Sequence, residues 1–236
     1  MSARPDYGID GWKYVVGLLG AGVALAVAGA VLLAMRAPTV AGVACLGAAA
    51  TALAPGVLGL RYVFVGKFHH RDRVLERVTW RGDEHTLDLG TGGGLLLVGA
   101  ARRSPRGRAC GIDIWVARDL SNNTRERALA NAVLEDVGGH VEVLTADARA
   151  LPFADERFDV VMSMLCIHNI EDAEGRRRAL AEAVRVCKRG GIVVISDLAH
   201  AEDYRDALEQ LGLHVAVSGR YLDTFPFQRI VEARRP

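Results

Sequence analysis

The chain has 236 residues, which is enough for one domain of ordinary size and a smaller additional segment. Half of the residues are hydrophobic but only 6% are aromatic, and the excess of small aliphatic residues lies before residue 66, which indicates two different environments. The net charge of +1 provides no basic field that would attract nucleic acid, so no nucleic-acid partner is predicted.

The N-terminal segment, residues 1–66, contains two long apolar runs. Residues 14–35 and 37–60 carry no charge, and each run is long enough to cross a hydrocarbon core about 30 Å thick. The runs are joined by MRAPT, in which Pro38 suits a turn, so they predict a transmembrane hairpin with helices at about 13–35 and 39–65. A cleaved signal peptide is a poorer interpretation, since its apolar region is shorter and is not followed by a second run. Core or interfacial helices are the remaining alternative.

Basic residues near the helix ends predict the orientation of this hairpin. Arg61, Lys67, Arg71 and Arg73 follow the second run, whereas the loop between the runs has only Arg36. Lys and Arg resist translocation, so both termini are expected in the cytoplasm and the chain is expected to be an integral, two-pass membrane protein. An aromatic belt is expected on the same side, and it comprises Tyr7, Trp12, Tyr14, Tyr62 and Phe64.

Small residues recur at every fourth position of the first run. One row is Gly20, Ala24 and Ala28, and a second row begins at Gly22 and Ala26. Such rows allow helices to approach closely in lipid. They predict packing of the two helices on each other, with a homodimer as a weaker possibility.

Residues 67–236 show short apolar runs separated by charged helical stretches, which is typical of a mainly parallel sheet covered by helices. Helices are expected at about 121–137 and 175–187, the second one ending before a turn formed by KRGG. A short last connection favours an antiparallel end of the sheet. The seven expected strands are HTLDLG, ACGIDI, VEVLTAD, FDVVMSML, GIVVISDL, HVAVSG and QRIVEAR.

A glycine-rich turn follows the first of these strands. The sequence LDLGTGGG runs from Leu87 to Gly94, and its glycines allow the backbone to pass close to a ligand. It does not match the dinucleotide fingerprint, because Leu95 stands where the third glycine would be. Asp113 ends the next strand, where a carboxylate can accept hydrogen bonds from both ribose hydroxyls of an adenosyl group. Asp147 ends the third strand, although either carboxylate alone would more often be a helix cap or a surface charge.

These motifs, in this order, resemble those of the class I S-adenosylmethionine-dependent methyltransferases, particularly the enzymes of ubiquinone and menaquinone biosynthesis. The resemblance rests on LDLGTGGG, GIDIW, ADARALPFADERFDVVMSMLCIHNI and VCKRGGIVVISDL, and it covers about residues 67–234. It extends to a membrane-anchored bacterial subgroup with a DIW…DLSNN stretch after the second strand. The resemblance implies a Rossmann-like methyltransferase sheet of seven strands and S-adenosylmethionine as the cofactor.

The resemblance also implies a role for individual residues. The floor of the methionine and ribose site would be formed by Asp88, Gly90, Thr91, Gly92 and Gly94. The ribose and adenine contacts would be Asp113, Ile114, Asp147 and Ala148, and the strand end beside the methionine portion would be Ser163 and Met164.

His168, in CIHNI, is the expected general base if the acceptor is a hydroxyl or phenol, although a structural role is an open alternative. Glu171 and Asp172 are other candidates, but they are more typical of a helix cap. Tyr221, Phe225 and Phe227 either form an apolar roof for a lipophilic acceptor or close the core.

The sequence therefore predicts an enzyme that methylates a small or lipophilic acceptor at the cytoplasmic face of a lipid bilayer. Two alternatives remain: a non-catalytic S-adenosylmethionine-binding membrane protein, and an NAD-dependent oxidoreductase, against which Leu95 argues. No metal site is predicted, because Cys45, Cys110, Cys166 and Cys187 lie far apart and should be reduced thiols.

Overall fold

The structure is a computed structural model, and it describes residues 4–236. Two long helices come first, and a sheet with helices on both faces follows, as the sequence predicts. The α-helices are α1 (Trp12–Ala34), α2 (Thr39–Arg61), α3 (Lys67–Leu75), α4 (Leu95–Arg103), α5 (Arg125–Leu134), α6 (Ala173–Val186) and α7 (Ala201–Gln210). The strands are β1 (His85–Leu89), β2 (Arg108–Asp113), β3 (Val141–Thr145), β4 (Phe158–Met164), β5 (Cys187–Asp197), β6 (His214–Val217) and β7 (Arg229–Arg234).

Helices α1 and α2 form an antiparallel hairpin that is long and apolar enough to cross a bilayer. The residues of α1 buried in this pairing are Val15, Gly22 and Gly29, and those of α2 include Gly42, Ala49 and Gly56. Both sets recur every seventh residue, the spacing of a coiled-coil seam. The predicted row through Gly20 is not part of the contact, because a Cβ at Gly20 would meet nothing within 4 Å.

The end of α2 continues through one π-helical turn, Tyr62–Gly66, into α3. Two residues of the expected aromatic belt are part of the core instead, since Tyr7 is 6% and Tyr62 is 2% exposed. Each finds a polar partner there: the Tyr7 hydroxyl donates to Glu135, and the Tyr62 hydroxyl accepts from Gln228. Tyr14 and Phe64 remain exposed.

The seven strands form one sheet in the order β3-β2-β1-β4-β5-β7-β6. Strands β1 to β5 are parallel, and β7 runs antiparallel to both of its neighbours, β5 and β6. One face packs against α6 and α7, and the other face against α3, α4 and α5. The predicted fold class is therefore confirmed, and the carboxyl ends of β1, β2 and β4 meet at the centre of one edge.

Two boundaries differ from the expectation. The KRGG residues are not a turn, because β5 already begins at Cys187 and pairs with Phe158, and a register shift follows before Val160 pairs with Ile192. A Cβ on Gly191 would lie 2.8 Å from a backbone oxygen of Asp159, so this bulge requires glycine. Helix α5 begins only at Arg125, because the Thr124 side chain accepts from the Arg127 amide and caps the helix there.

Candidate functional site

The turn between β1 and α4 adopts backbone conformations that favour glycine. Gly90 and Gly92 have φ angles of 71° and 52°. A Cβ at Gly90 would lie 2.2 Å from Cys166 Sγ, so the turn passes directly against the loop after β4. The amides of Gly90 and Thr91 both donate to the Ile112 carbonyl oxygen at 2.9 Å, which ties the turn to the end of β2.

Asp88 is buried beneath this turn and holds its shape. Its Oδ2 accepts from the Thr91 hydroxyl at 2.8 Å and from the Leu97 amide at 3.0 Å. Burial raises the pKa of this carboxyl from its usual range to about 7, and the nearby Asp113 charge acts in the same direction. A cation bound in the cavity would favour the ionised form of this carboxyl.

Asp113 is held at the end of β2 by donors from three directions. Its Oδ2 accepts from the Gly92 amide at 2.9 Å, and its Oδ1 accepts from the Trp115 amide at 2.6 Å and from Asn123 Nδ2 at 3.4 Å. The side chain of Ile114 beside it is 56% exposed. The other amide atom of Asn123, Oδ1, is buried without a partner, so it can accept a hydrogen bond from a bound molecule.

Asp147 and Ala148 follow β3 on the same edge. The Asp147 carboxylate makes a bidentate ion pair with Arg149, whose guanidinium lowers the pKa of that carboxyl. An adenine amino group that donates to Asp147 would have to share this carboxylate with Arg149 or displace Arg149 from it.

A cavity of about 200 Å³ lies between these strand ends. Gly94 and Ser163 do not line it: Gly94 caps the start of α4 at φ 84°, and the buried Ser163 hydroxyl donates to the Leu89 carbonyl. The predicted cofactor residues that line the cavity are Asp88, Gly90, Thr91, Gly92, Asp113, Ile114, Asp147, Ala148 and Met164.

His168 lies outside this cavity and lines a second one, of about 340 Å³, between the domain and the hairpin. Its amide donates to Asp197 Oδ2 at 3.0 Å, and its Nδ1 lies against Asp197 Oδ1 in an ion-pair contact that is not aligned as a hydrogen bond. Asp197 is buried and also accepts from the Tyr204 hydroxyl at 3.2 Å. The Nδ1 side of the ring thus faces a buried carboxylate, and the residue as a whole lines the second cavity.

The donors and acceptors of the first cavity fit S-adenosylmethionine. The glycine turn gives close backbone approach, Asp113 and the free Asn123 Oδ1 can accept from hydroxyl or amino groups, and Asp88 favours a cation. Burial raises the pKa of the Cys166 thiol above its usual range, which disfavours the thiolate form. Among residues 4–236, no group of three or more His, Cys, Asp or Glu side chains is placed to hold a metal ion.

The family profile described as a methyltransferase domain matches residues 87–195, which include the turn, Asp113, Asp147 and His168. Residues 87–195 form a class I S-adenosylmethionine-dependent methyltransferase domain. The demethylmenaquinone methyltransferase of Thermobifida fusca (strain YX) is 35% identical over 117 residues, which are 50% of this chain and 44% of that protein. The phosphatidylethanolamine N-methyltransferase of Cereibacter sphaeroides is 35% identical over 125 residues, which are 53% and 55% of the two chains.

The fold of the methyltransferase domain is also found in solved structures. The geranyl diphosphate C-methyltransferase of Streptomyces coelicolor A3(2), solved with S-adenosyl-L-homocysteine, superposes with a TM-score of 0.60 at 15% identity over 72% of this chain and 79% of its own. The chain spans about half the length of the curated relatives it matches. The hairpin lies outside the matched residues.

A further wall of the methyltransferase cavity is formed by the segment before α1, and the sequence patterns do not predict it. Tyr7 and Asp10 line the cavity, and Lys67 at the start of α3 joins them. The buried Lys67 amine donates to the Tyr7 carbonyl at 2.9 Å, the Gly8 carbonyl at 2.5 Å and Asp10 Oδ2 at 3.3 Å.

The same N-terminal segment pairs with the DLSNN stretch. Asp10 and Leu120 form an antiparallel bridge, and the Gly11 amide donates to the Asp119 carbonyl at 2.9 Å. The DLSNN stretch after β2 thus attaches the base of the hairpin to the cofactor cavity. In the sequence, the DLSNN motif is the one signal of this wall, but the motif does not show that the segment before α1 pairs with it.

Proposed function

We propose that this chain transfers a methyl group from S-adenosylmethionine to a lipophilic acceptor at the cytoplasmic face of a membrane, in which α1 and α2 anchor it. The observation that carries the proposal is the arrangement of the two cavities: the cofactor cavity shares lining residues with a second, mainly apolar cavity, and His168 lines the second one. Such an arrangement suits an apolar molecule with one reactive polar group.

The composition and exposure of the hairpin support the membrane part of the proposal. Only 17% of the apolar window of each helix is buried, whereas the core helix of a soluble protein is mostly buried. The excess of basic residues after α2 favours a cytoplasmic catalytic domain. A reporter fused after Pro236 should therefore be inaccessible from outside intact cells, and an accessible reporter would contradict this orientation.

The names of two relatives support a lipophilic acceptor. One is named for demethylmenaquinone and the other for phosphatidylethanolamine, which are chemically different lipids. Because the chain covers only about half of each relative, the choice between these acceptor types is open to experiment.

His168 and Asp197 are the residues of this chain that we assign to proton transfer. Bound S-adenosylmethionine supplies a methyl group on a positively charged sulfur, so the protein mainly has to position the acceptor and remove its proton. For an acceptor that is a hydroxyl or phenol, His168 would take the hydroxyl proton at Nε2 as the oxygen receives the methyl group, and the bond electrons would remain with the cofactor sulfur. Asp197 stabilises the resulting imidazolium through Nδ1.

The test is a transfer assay on the full-length protein in detergent. S-adenosylmethionine labelled in the methyl group is incubated with a total lipid extract of bacterial membranes, and label in the organic phase is counted. We expect transfer by the native protein, and a fall of about 10²- to 10⁴-fold in His168→Gln, with unchanged S-adenosylmethionine binding.

His200→Gln is the matched control, because His200 lies at the surface beside Asp203 and lines neither of the two cavities. It should retain full transfer. Cofactor binding without any labelled lipid would contradict the proposed acceptor class, and full activity of His168→Gln would contradict the proposed base.

A further inference from the structure

The second cavity has two walls of different origin. One wall belongs to the hairpin, where Val15 and Leu18 of α1 face Pro55 and Gly59 of α2. The other wall belongs to the methyltransferase domain and includes Leu165, His168 and Leu198, together with Phe225 and Pro226 from the loop before β7. Neither part of the chain forms this cavity alone.

The cavity adjoins the cofactor cavity. Five residues line both of them, namely Asp10, Arg118, Asp119, Leu165 and Asn169. A molecule in the second cavity would therefore lie beside the cofactor cavity.

Contacts between the hairpin end and the domain fix the two walls relative to each other. Asp223, in the loop that carries Phe225, forms a bidentate ion pair with Arg73 of α3, and its carbonyl accepts from Arg61 at the end of α2. Phe225 packs edge-to-face against Phe227. The loop is thus held over the cavity as a roof, as one of the two sequence interpretations expected, whereas Tyr221 packs against His70 in the core.

The rim of the cavity is apolar and open to the outside. Tyr14 and Leu198 both line the cavity, yet they are 80% and 40% exposed. Both lie where the hairpin meets the domain, which is the depth of the interface between lipid and cytoplasm if the hairpin spans the membrane. An amphiphile can therefore enter from the lipid without complete transfer into water.

We propose that this cavity is the acceptor site, that the hairpin forms one of its walls, and that it takes an amphiphile with an apolar body and a single phenol-like hydroxyl that points to His168. The inference rests on the proposed function and assigns α1 and α2 to substrate selection as well as anchoring. A volume of about 340 Å³ accommodates a ring system with a short part of a chain, while a longer chain extends past the rim into lipid.

The test uses 2-octyl-4-nitrophenol as the probe, because its phenolate is coloured and its phenol is not. Full-length protein in detergent is titrated with the probe, and the apparent pKa of the bound probe is measured by absorbance. Native protein should bind the probe and lower its apparent pKa. His168→Gln should bind it without lowering that pKa, since the side chain that we assign to take the proton is then missing.

Two cavity-filling variants test the two walls separately. Leu18→Trp fills the cavity from the hairpin, and Leu198→Trp fills it from the domain. Each should weaken probe binding at least about tenfold while S-adenosylmethionine binding is retained. The controls are Val16→Trp on α1 and Leu211→Trp on the domain, which replace residues that are 56% and 44% exposed and do not line the cavity.

The outcomes separate this inference from the function on which it rests. Loss of probe binding in both filled variants, with cofactor binding intact, supports the shared acceptor site. Native probe affinity in Leu18→Trp would overturn the role of the hairpin wall. If Leu18→Trp loses cofactor binding as well, Leu198→Trp decides whether the cavity is used. Absence of S-adenosylmethionine binding in the native protein would instead contradict the proposed function.

Discussion

The buried carboxyl of Asp88 makes the stability of the protein depend on pH in a defined direction. Asp88 is 2% exposed, and burial raises its pKa from 3.8 to about 7. Between these two values the folded protein holds a proton that the unfolded chain has lost. The contribution of Asp88 to the free energy of unfolding therefore falls as the pH rises through this window, and this loss is complete above about pH 7. The buried His70, whose pKa is lowered to about 4, contributes in the opposite direction, so the effect of Asp88 is measured as a difference between native protein and a variant.

The size of the effect follows from the difference between the two pKa values. About 3 pKa units at 1.36 kcal/mol per unit correspond to roughly 4 kcal/mol over the whole window. Between about pH 5 and about pH 8, the contribution of Asp88 to the free energy of unfolding should fall by roughly 2 to 3 kcal/mol. For a chain of this size, this corresponds to a decrease of order 5 to 10 °C in the melting temperature.

Thermal unfolding of the full-length protein in detergent measures this dependence. Asp88→Asn keeps an oxygen that accepts from Thr91 and from the Leu97 amide, but it cannot ionise. The variant should lack this part of the pH dependence, whereas Asp203→Asn, at an exposed carboxylate, should follow the native curve. Parallel curves for native protein and Asp88→Asn would refute the reasoning.

The same carboxyl links cofactor binding to proton release. S-adenosylmethionine is a cation, and a cation in the cavity favours the ionised form of Asp88. Near pH 7, the binding of S-adenosylmethionine should release on average a fraction of one proton per molecule bound. The release is measured as a difference in binding heat between two buffers that have different ionisation enthalpies. This buffer dependence should disappear in Asp88→Asn.

Two other substitutions test the hairpin and its attachment. Gly22→Leu should destabilise the protein by roughly 1 to 3 kcal/mol in thermal unfolding, because a Cβ at Gly22 would lie 2.6 Å from the Leu53 side chain. Gly20→Leu is the control and should have no effect, because a Cβ there meets nothing within 4 Å. Equal effects of the two substitutions would contradict the seven-residue seam. Lys67→Met leaves the Tyr7 and Gly8 carbonyls without their donor. S-adenosylmethionine should then dissociate at least several-fold faster in stopped-flow measurements. An unchanged rate would show that the N-terminal wall of the cavity does not retain the cofactor.

Local sequence patterns predict the sheet and the centre of the site because their causes are local. The glycine turn after β1 and the carboxylate at the end of β2 are encoded by a few neighbouring residues, and parallel strands bring them to one edge. Gly94 shows the limit of this reasoning: it belongs to the motif, but its positive φ serves the start of α4 rather than the cavity.

The features that the sequence does not reveal depend on contacts between distant residues. Lys67 is predicted as one of several basic residues at a membrane surface, yet it is 3% exposed because it donates to backbone carbonyls nearly sixty residues earlier. Likewise, small residues at spacings of four and of seven are both present in α1, and only the packing against α2 shows that the seven-residue set is used.

The central claim is that the cavity between the glycine turn and Asp113 binds S-adenosylmethionine, and calorimetric titration of the full-length protein in detergent tests it most directly. We expect binding of S-adenosylmethionine but not of NADH, weakened roughly 10- to 100-fold in Asp113→Ala and unchanged in Asp203→Ala. Equal binding of both cofactors, or native affinity in Asp113→Ala, would contradict it.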